Sequence, residues 1–217
     1  MKEALVRQMD LIPMESLSKR IHIIGAGATG ATASLFLAKM GFINQWVMDF
    51  DDVDIVNMNC QMFGRHHIGM PKVDALSSMV EEFTGAKIQT TNGKFEKGMM
   101  LEGIVLCALD SMEGRQIIFD AFMRSPTATH IIDPRIAIQY GCMYVVDKND
   151  KESIESYKKT LHSDADAVQA PCTTKNTMFT SAIVSGIMCK ATKDIAVDGK
   201  TFKSMQYNIE KNDCMFF

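Results

Sequence analysis

Gly25-Ala26-Gly27-Ala28-Thr29-Gly30, with the carboxylate of Asp49 lying 19 residues beyond Gly30, is the first part of this chain whose residue types and spacing point to chemistry. Glycines at these intervals permit a tight turn and let phosphate oxygens approach backbone N–H groups at a helix N-terminus. An acid at the end of the next strand can bind ribose hydroxyls. The loop has this meaning only between a strand and a helix. Residues 21–24 read as a short apolar strand, and residues 29–40 as a helix stopped by Gly41. The plainer alternative is a βα turn that needs its glycines only for packing. NAD and ATP can both use such a turn, so the loop alone leaves the nucleotide open.

The elements that must carry this loop alternate along the chain. Residues 2–12 have helical spacing and are ended by Pro13. Residues 45–48 form a strand that ends at Asp49, and the polar stretch 50–71 reads as an irregular loop. Residues 72–83 place Val73, Leu76, Val80 and Phe83 on one side of a helix. Strands follow at 88–91, 103–108, 130–132, 142–146 and 204–209. Helices are expected at 112–124, 151–161 and 176–190, the last mostly apolar and so buried against the sheet. This alternation predicts an α/β fold, Rossmann-like and doubly wound, with a mainly parallel sheet and helices on both faces. No repeat, linker or composition break divides the chain, so residues 1–217 read as one domain with a helical arm at 1–18.

Composition narrows the function classes. The formal charge is −3, from 23 basic and 26 acidic residues, with both signs spread along the chain. No basic stripe argues for nucleic acid. No apolar run approaches the ~18 residues of a membrane span. Acidic residues stand where a secretory signal would have its apolar stretch. The expectation is a cytoplasmic protein without a membrane segment. Six cysteines include no CxxC pair and lie at least 17 positions apart, which argues against a zinc site or a disulfide scaffold. The 18 methionines read as core filling.

The run from Asp49 through Asp51, Val53 and Asn57 to Gln61, then Gly69 and Lys72, and later Asp110 and Arg115, resembles the ubiquitin-activating-enzyme-like superfamily, the ThiF/MoeB group of adenylating enzymes. The resemblance covers roughly residues 4–193. It implies that Asp49 holds the ribose, that Asn57 and Gln61 shape the nucleotide pocket and that Lys72 neutralises the triphosphate. It implies that Asp110 coordinates Mg²⁺ or orients the reacting phosphate, with Arg115 behind it. Arg7-Gln8 resembles a family segment whose arginine can reach the triphosphate across a dimer interface. Of the acids 51, 52 and 54, which otherwise make a solvated turn, Asp51 is placed with the nucleotide ligands. The plain alternatives are a helix-start lysine at 72, a helix cap at Asp110, loop hydrogen bonds for Asn57 and Gln61, and a surface charge at Arg7.

One departure qualifies this. Cys60 stands where the family has an arginine, and a thiol cannot replace a guanidinium's charge and fork of donors. Arg65, a little later, is a candidate substitute. Cys172, in Ala170-Pro171-Cys172-Thr173, precedes a helix and is a candidate nucleophile. It reads equally as an inert thiol in a turn. Asp133-Pro134-Arg135 resembles a segment of some bacterial and phage members, where the arginine could meet an incoming carboxylate or make a strand-end salt bridge. His66 and His67 read as surface residues. The resemblance implies ATP-dependent adenylation of a carboxylate, that of a ubiquitin-like or sulfur-carrier protein, by a homodimer using ATP and Mg²⁺. The alternatives are a catalytically impaired nucleotide-binding scaffold and an NAD-dependent oxidoreductase.

Overall fold

In β-strands successive side chains point to opposite faces, and the buried residues here sort that way. Ile23, Val47, Leu106 and Ile132 pack on one face, Ile24, Met48, Val105 and Ile131 on the other. The computed structural model describes residues 2–137, 140–162 and 177–217. In chain order its elements are β1 (Ile21–Ile24), α1 (Ala28–Lys39), β2 (Gln45–Asp49), α2 (Lys72–Thr84), β3 (Gln89–Asn92), β4 (Gly103–Cys107) and α3 (Met112–Arg124). These are followed by β5 (Ala128–Ala137), β6 (Tyr140–Asp147), α4 (Lys151–Lys158), α5 (Met178–Asp198), β7 (Ser204–Asn208) and β8 (Asp213–Phe216). Among the described residues, eight strands join one sheet in the order β3-β2-β1-β4-β5-β6-β7-β8. Pairings from β3 to β5 are parallel, and those from β5 to β8 antiparallel. Helices α1, α2 and α5 cover one face, α3 and α4 the other.

The mainly parallel, doubly wound arrangement is therefore as expected. The chain runs outward through β1, β2 and β3, then crosses to β4 beside β1. That reversal opens a crevice at the carboxyl ends of β1 and β4, the switch point where ligands bind in such sheets.

Several boundaries differ from the sequence reading. The expected helix at 2–12 is instead a 3₁₀ turn at Lys2–Gln8, and a second such turn follows at Met14–Ser18. Leu5, Ile12 and Leu17 are buried, and Leu5 and Leu17 close over Gly41, so tertiary packing shapes this arm. Helix α5 runs on to Asp198, where Gly199 at φ +72° ends it. The strand at 204–209 is not the last, since β8 pairs back along β7. Among the described residues, no helix is long and apolar enough to cross a membrane.

His22 lies buried in β1 with Trp46 edge-on at 4.6 Å, and its Nε2 accepts from Arg20 Nε at 3.3 Å. Burial first, and Arg20 second, lower its pKa to about 4. The folded state therefore binds fewer protons here than the unfolded chain between pH 6.5 and 4. The stability that neutral His22 provides is full above pH 6.5 and is lost as pH falls to about 4. A His22→Phe variant should lose roughly 2 kcal/mol less than the parent over that interval, allowing for partial access of water. Urea midpoints at pH 7 and pH 4 measure this, and parallel losses would refute the assignment.

Candidate active site

The glycine loop is shaped by what touches it. Gly25 has φ +100°, and a Cβ there would lie 2.3 Å from the Ala108 carbonyl oxygen. A Cβ on Gly30 would lie 1.9 Å from the Gly25 oxygen. These two glycines are thus required by the close approach of β1, α1 and the end of β4. Gly27 differs, because a Cβ there would meet nothing among the described residues within 4 Å. The open side of the turn lies at Gly27, just before α1, whose N-terminus has no side-chain cap among the described residues. Its free N–H groups and positive dipole end make an anion-receptive surface there.

A chain of hydrogen bonds leads from this turn to Lys72. Ala26 N–H donates to Asp49 Oδ2 at 2.6 Å, and Asp51 N–H donates to Asp49 Oδ1 at 2.8 Å. Lys72 Nζ donates to Asp51 Oδ2 at 2.7 Å, while its own N–H donates to the Asp51 carbonyl at 2.9 Å. Asp49 thus ties the glycine loop to the acidic loop, each oxygen keeping a lone pair for a ribose hydroxyl. Lys72 is 7% exposed at the start of α2, and segment 51–53 bonds back to 69–72 through Val53 N–H to Met70 O and Gly69 N–H to Val53 O. Buried stem and fixed backbone aim this cation into a cleft of about 680 Å³ lined by Asp51, Asp54, Val56, Asn57, Gly69 and Lys72.

The remaining candidates divide. Asn57 Oδ1 accepts from Asp54 N–H at 3.0 Å, and Asp54 Oδ1 from Val56 N–H at 3.2 Å, so Asn57 shapes its turn while lining the cleft. Gln61 has a buried Oε1 with no hydrogen-bond partner among the described residues. Cys60 is half-buried. Burial pushes its thiol up against the pull of Lys72, which leaves it neutral where a guanidinium would carry charge. Arg65 is exposed on the Arg65–His67 turn. His67, expected at the surface, is buried, because its Nδ1 accepts from Gly64 N–H at 3.0 Å and fastens that turn. Cys172 lies outside the described residues.

Arg7 is exposed on an arm held to the far end of α1, where Gln8 Nε2 donates to the Met40 carbonyl. A 12-residue helix separates that end from the glycine loop, about 18 Å at 1.5 Å per residue. One chain therefore does not bring Arg7 to the cleft.

Asp110 is exposed just past β4. Ala108, two residues before it, donates its N–H to Ile24 O and packs its carbonyl on Gly25. It therefore stands on the same edge as the glycine loop. The helix-cap alternative falls to Ser111, whose Oγ accepts from Gly114 N–H. Among the described residues, no three His, Cys, Asp or Glu side chains gather to hold a metal by themselves. A lone exposed carboxylate suits Mg²⁺, which takes one or two carboxylates and completes its shell with phosphate oxygens and water.

Sequence reasoning missed the hub behind Asp110. Asp133 is fully buried. Its Oδ1 accepts from Arg115 Nε at 3.0 Å, and its Oδ2 from Arg135 Nε at 2.9 Å and Tyr157 Oη at 3.0 Å. Burial opposes both guanidinium charges, but Asp133 between them more than restores them and raises both pKa values. Arg135 also binds Thr160 and stacks on Tyr144 at 4.7 Å. Of the two roles open to Arg135, the structure places it in the salt bridge. The signal available was the Asp-x-Arg spacing itself; the partnership with Arg115 and Tyr157 required the fold.

A model of the ThiF family matches residues 6–213. A NEDD8-activating enzyme E1 catalytic subunit of Schizosaccharomyces pombe is 36% identical over 113 residues, which is 48% of this chain and 24% of that protein. A molybdopterin-synthase adenylyltransferase of Haemophilus influenzae is 29% identical over 122 residues, 52% of this chain and 50% of that protein. The aligned stretch thus spans about a quarter of one relative and half of the other. The crystal structure of PaaA superposes with a TM-score of 0.76 at 14% identity, covering 99% of this chain and 72% of that one. Escherichia coli MccB with AMPCPP and MccA superposes at 0.76 and 12% identity, covering 96% and 66%. At these identities the structures attest the fold.

Proposed function

The chain belongs to the ThiF family, and from that premise we propose that it adenylates a carboxylate with ATP. The substrate in this reading is the C-terminal carboxylate of a ubiquitin-like or sulfur-carrier protein. A carboxylate oxygen attacks the α-phosphorus, the bond from that phosphorus to the bridging oxygen breaks, and pyrophosphate leaves with the electron pair. The observation that carries the reading is the hydrogen-bonded line from the glycine loop through Asp49 and Asp51 to buried Lys72 at the switch point.

Such a reaction asks the protein mainly for positioning and charge neutralisation. The α1 N-terminus and Gly27 receive the phosphates, Asp49 the ribose, and Asn57 and Gln61 border the pocket. Lys72 meets the charge that develops on the departing pyrophosphate. Asp110 would hold Mg²⁺, which supplies further neutralisation when bound. Arg7 joins from a second chain in a homodimer, since its own chain keeps it away. Transfer of the acyl group to the Cys172 thiol with release of AMP, or to an outside nucleophile, is the step that would follow. A cytoplasmic location, and action of all 217 residues as one adenylation domain, complete the proposal.

Cys60 favours a second reading, a nucleotide-binding scaffold without chemistry, because the cleft has one cation fewer than the family pattern supplies. Pyrophosphate exchange into ATP, tested with a panel of small carrier proteins ending in Gly-Gly, separates the two. Carrier-dependent exchange supports adenylation. ATP binding without exchange for any carrier favours the scaffold, and absorbance changes with NADH in place of ATP binding would overturn both.

A further inference from the structure

The two arms of the buried Asp133 hub end at different places. On one side, Arg115 holds Asp133 through Nε and, through Nη2, donates to the Leu109 carbonyl at 2.5 Å. Leu109 is the residue before Asp110. On the other side, Arg135 spends Nε on Asp133 and both terminal nitrogens on the Thr160 carbonyl and hydroxyl beyond α4. Tyr157, near the end of α4, adds its hydroxyl to the same carboxylate oxygen as Arg135.

We propose that Asp133, acting through Arg115, is a positioning residue that sets where the Asp110 carboxylate stands. Asp133 is fully buried, and Arg115, 5% exposed, has its guanidinium engaged by Asp133 and the Leu109 carbonyl, so both act from behind Asp110. The Asp110 carboxylate projects from a short connection between β4 and α3, and the Arg115 bond grips its backbone one residue earlier. Without that bond, the connection is held by Ala108 N–H on Ile24 and by Ser111 at the start of α3. Between them the Leu109 side chain stays packed on the core, while its carbonyl, and the Asp110 backbone that follows, lose the anchor that fixes their direction. The inference rests on the reading of Asp110 as a ligand of ATP-bound Mg²⁺.

Asp133→Asn tests the link selectively. One amide oxygen must serve where two carboxylate oxygens served. Two donors, Arg135 Nε and Tyr157 Oη, converge on Oδ2, so the amide oxygen turns there and the NH₂ faces Arg115, donor against donor. Arg115→Lys tests the same link from the other end, because a single ammonium cannot span Asp133 and Leu109 O with a guanidinium's fork. Tyr157→Phe removes a bond to the hub without touching the Arg115 arm.

The readout is binding of a non-hydrolysable ATP analogue, titrated with Mg²⁺ by calorimetry, beside a thermal melt. Asp133→Asn and Arg115→Lys should each raise the Mg²⁺ midpoint about fivefold, the size of one lost hydrogen bond, and leave metal-free affinity unchanged. Tyr157→Phe should lower the melting temperature with no shift of the midpoint. A purely structural hub would lower melting temperatures in all three and move no midpoint, which would overturn the proposal. Asp110→Ala is the reference. If it shifts the midpoint and the hub variants do not, the positioning role alone fails. If Asp110→Ala shifts nothing, the metal role of Asp110 falls and the inference with it.

Discussion

Lys72→Ala is expected to lower carrier-dependent pyrophosphate exchange by about 10²- to 10³-fold, the range seen when one preorganised electrostatic group is removed from a reacting centre. The chain should still fold. Lys72 Nζ is the buried partner of the pair, and Asp51, half exposed, stays hydrated once the ammonium has gone. No uncompensated buried charge is left, so the stability cost should be about 1 kcal/mol, the upper range for an accessible ion pair. The cation matters more here than in a pocket with the family's arginine, because neutral Cys60 occupies that position. Exchange rates and melting temperature, measured side by side, decide the matter. A variant that keeps exchange within threefold of the parent would remove Lys72 from the chemistry.

That prediction could be framed from sequence because the relevant signals are local. A turn that brings backbone to phosphate needs glycine where a Cβ would strike a carbonyl, as at Gly25 and Gly30. A strand-end acid 19 residues on, and a lysine opening a helix, are likewise visible in one pass. Other features depend on contacts between distant segments. The arm forms 3₁₀ turns rather than a helix because Leu5 and Leu17 are fitted over Gly41. In sequence β5 reads as 130–132, because Asp133-Pro134-Arg135 looks like a strand end. Yet β4 pairs only as far as Ile132, so beyond it β5 has a neighbour on one side only and tolerates a proline. β8 has one sequence signal, the asparagine at 212, which the structure shows at φ +52°, a conformation asparagine tolerates. His67 was misplaced because the Gly64 N–H it satisfies is invisible in the sequence.

The hub shows the limit most clearly, and it carries the second large effect. Asp133→Ala should destabilise the fold by about 3–5 kcal/mol, the cost of removing one partner from a buried charged group. Arg115, buried, and Arg135, largely covered by the rings of Tyr144 and Tyr157, would then face each other across an emptied site. For a chain of this length that corresponds to a fall of roughly 10 °C in melting temperature. The loss should be strongly non-additive. A triple variant, Asp133→Leu with Arg115→Met and Arg135→Met, removes the charges together and should melt above Asp133→Ala, since apolar replacement of an entire buried ion group is often neutral. It should nonetheless bind the ATP analogue with a raised Mg²⁺ midpoint, because the bond from Arg115 to Leu109 O is gone. Recovered stability without recovered metal dependence would separate what the hub does for the fold from what it does for Asp110. If Asp133→Ala costs less than about 1 kcal/mol, the buried network is weaker than its geometry implies, and its role in the fold does not survive.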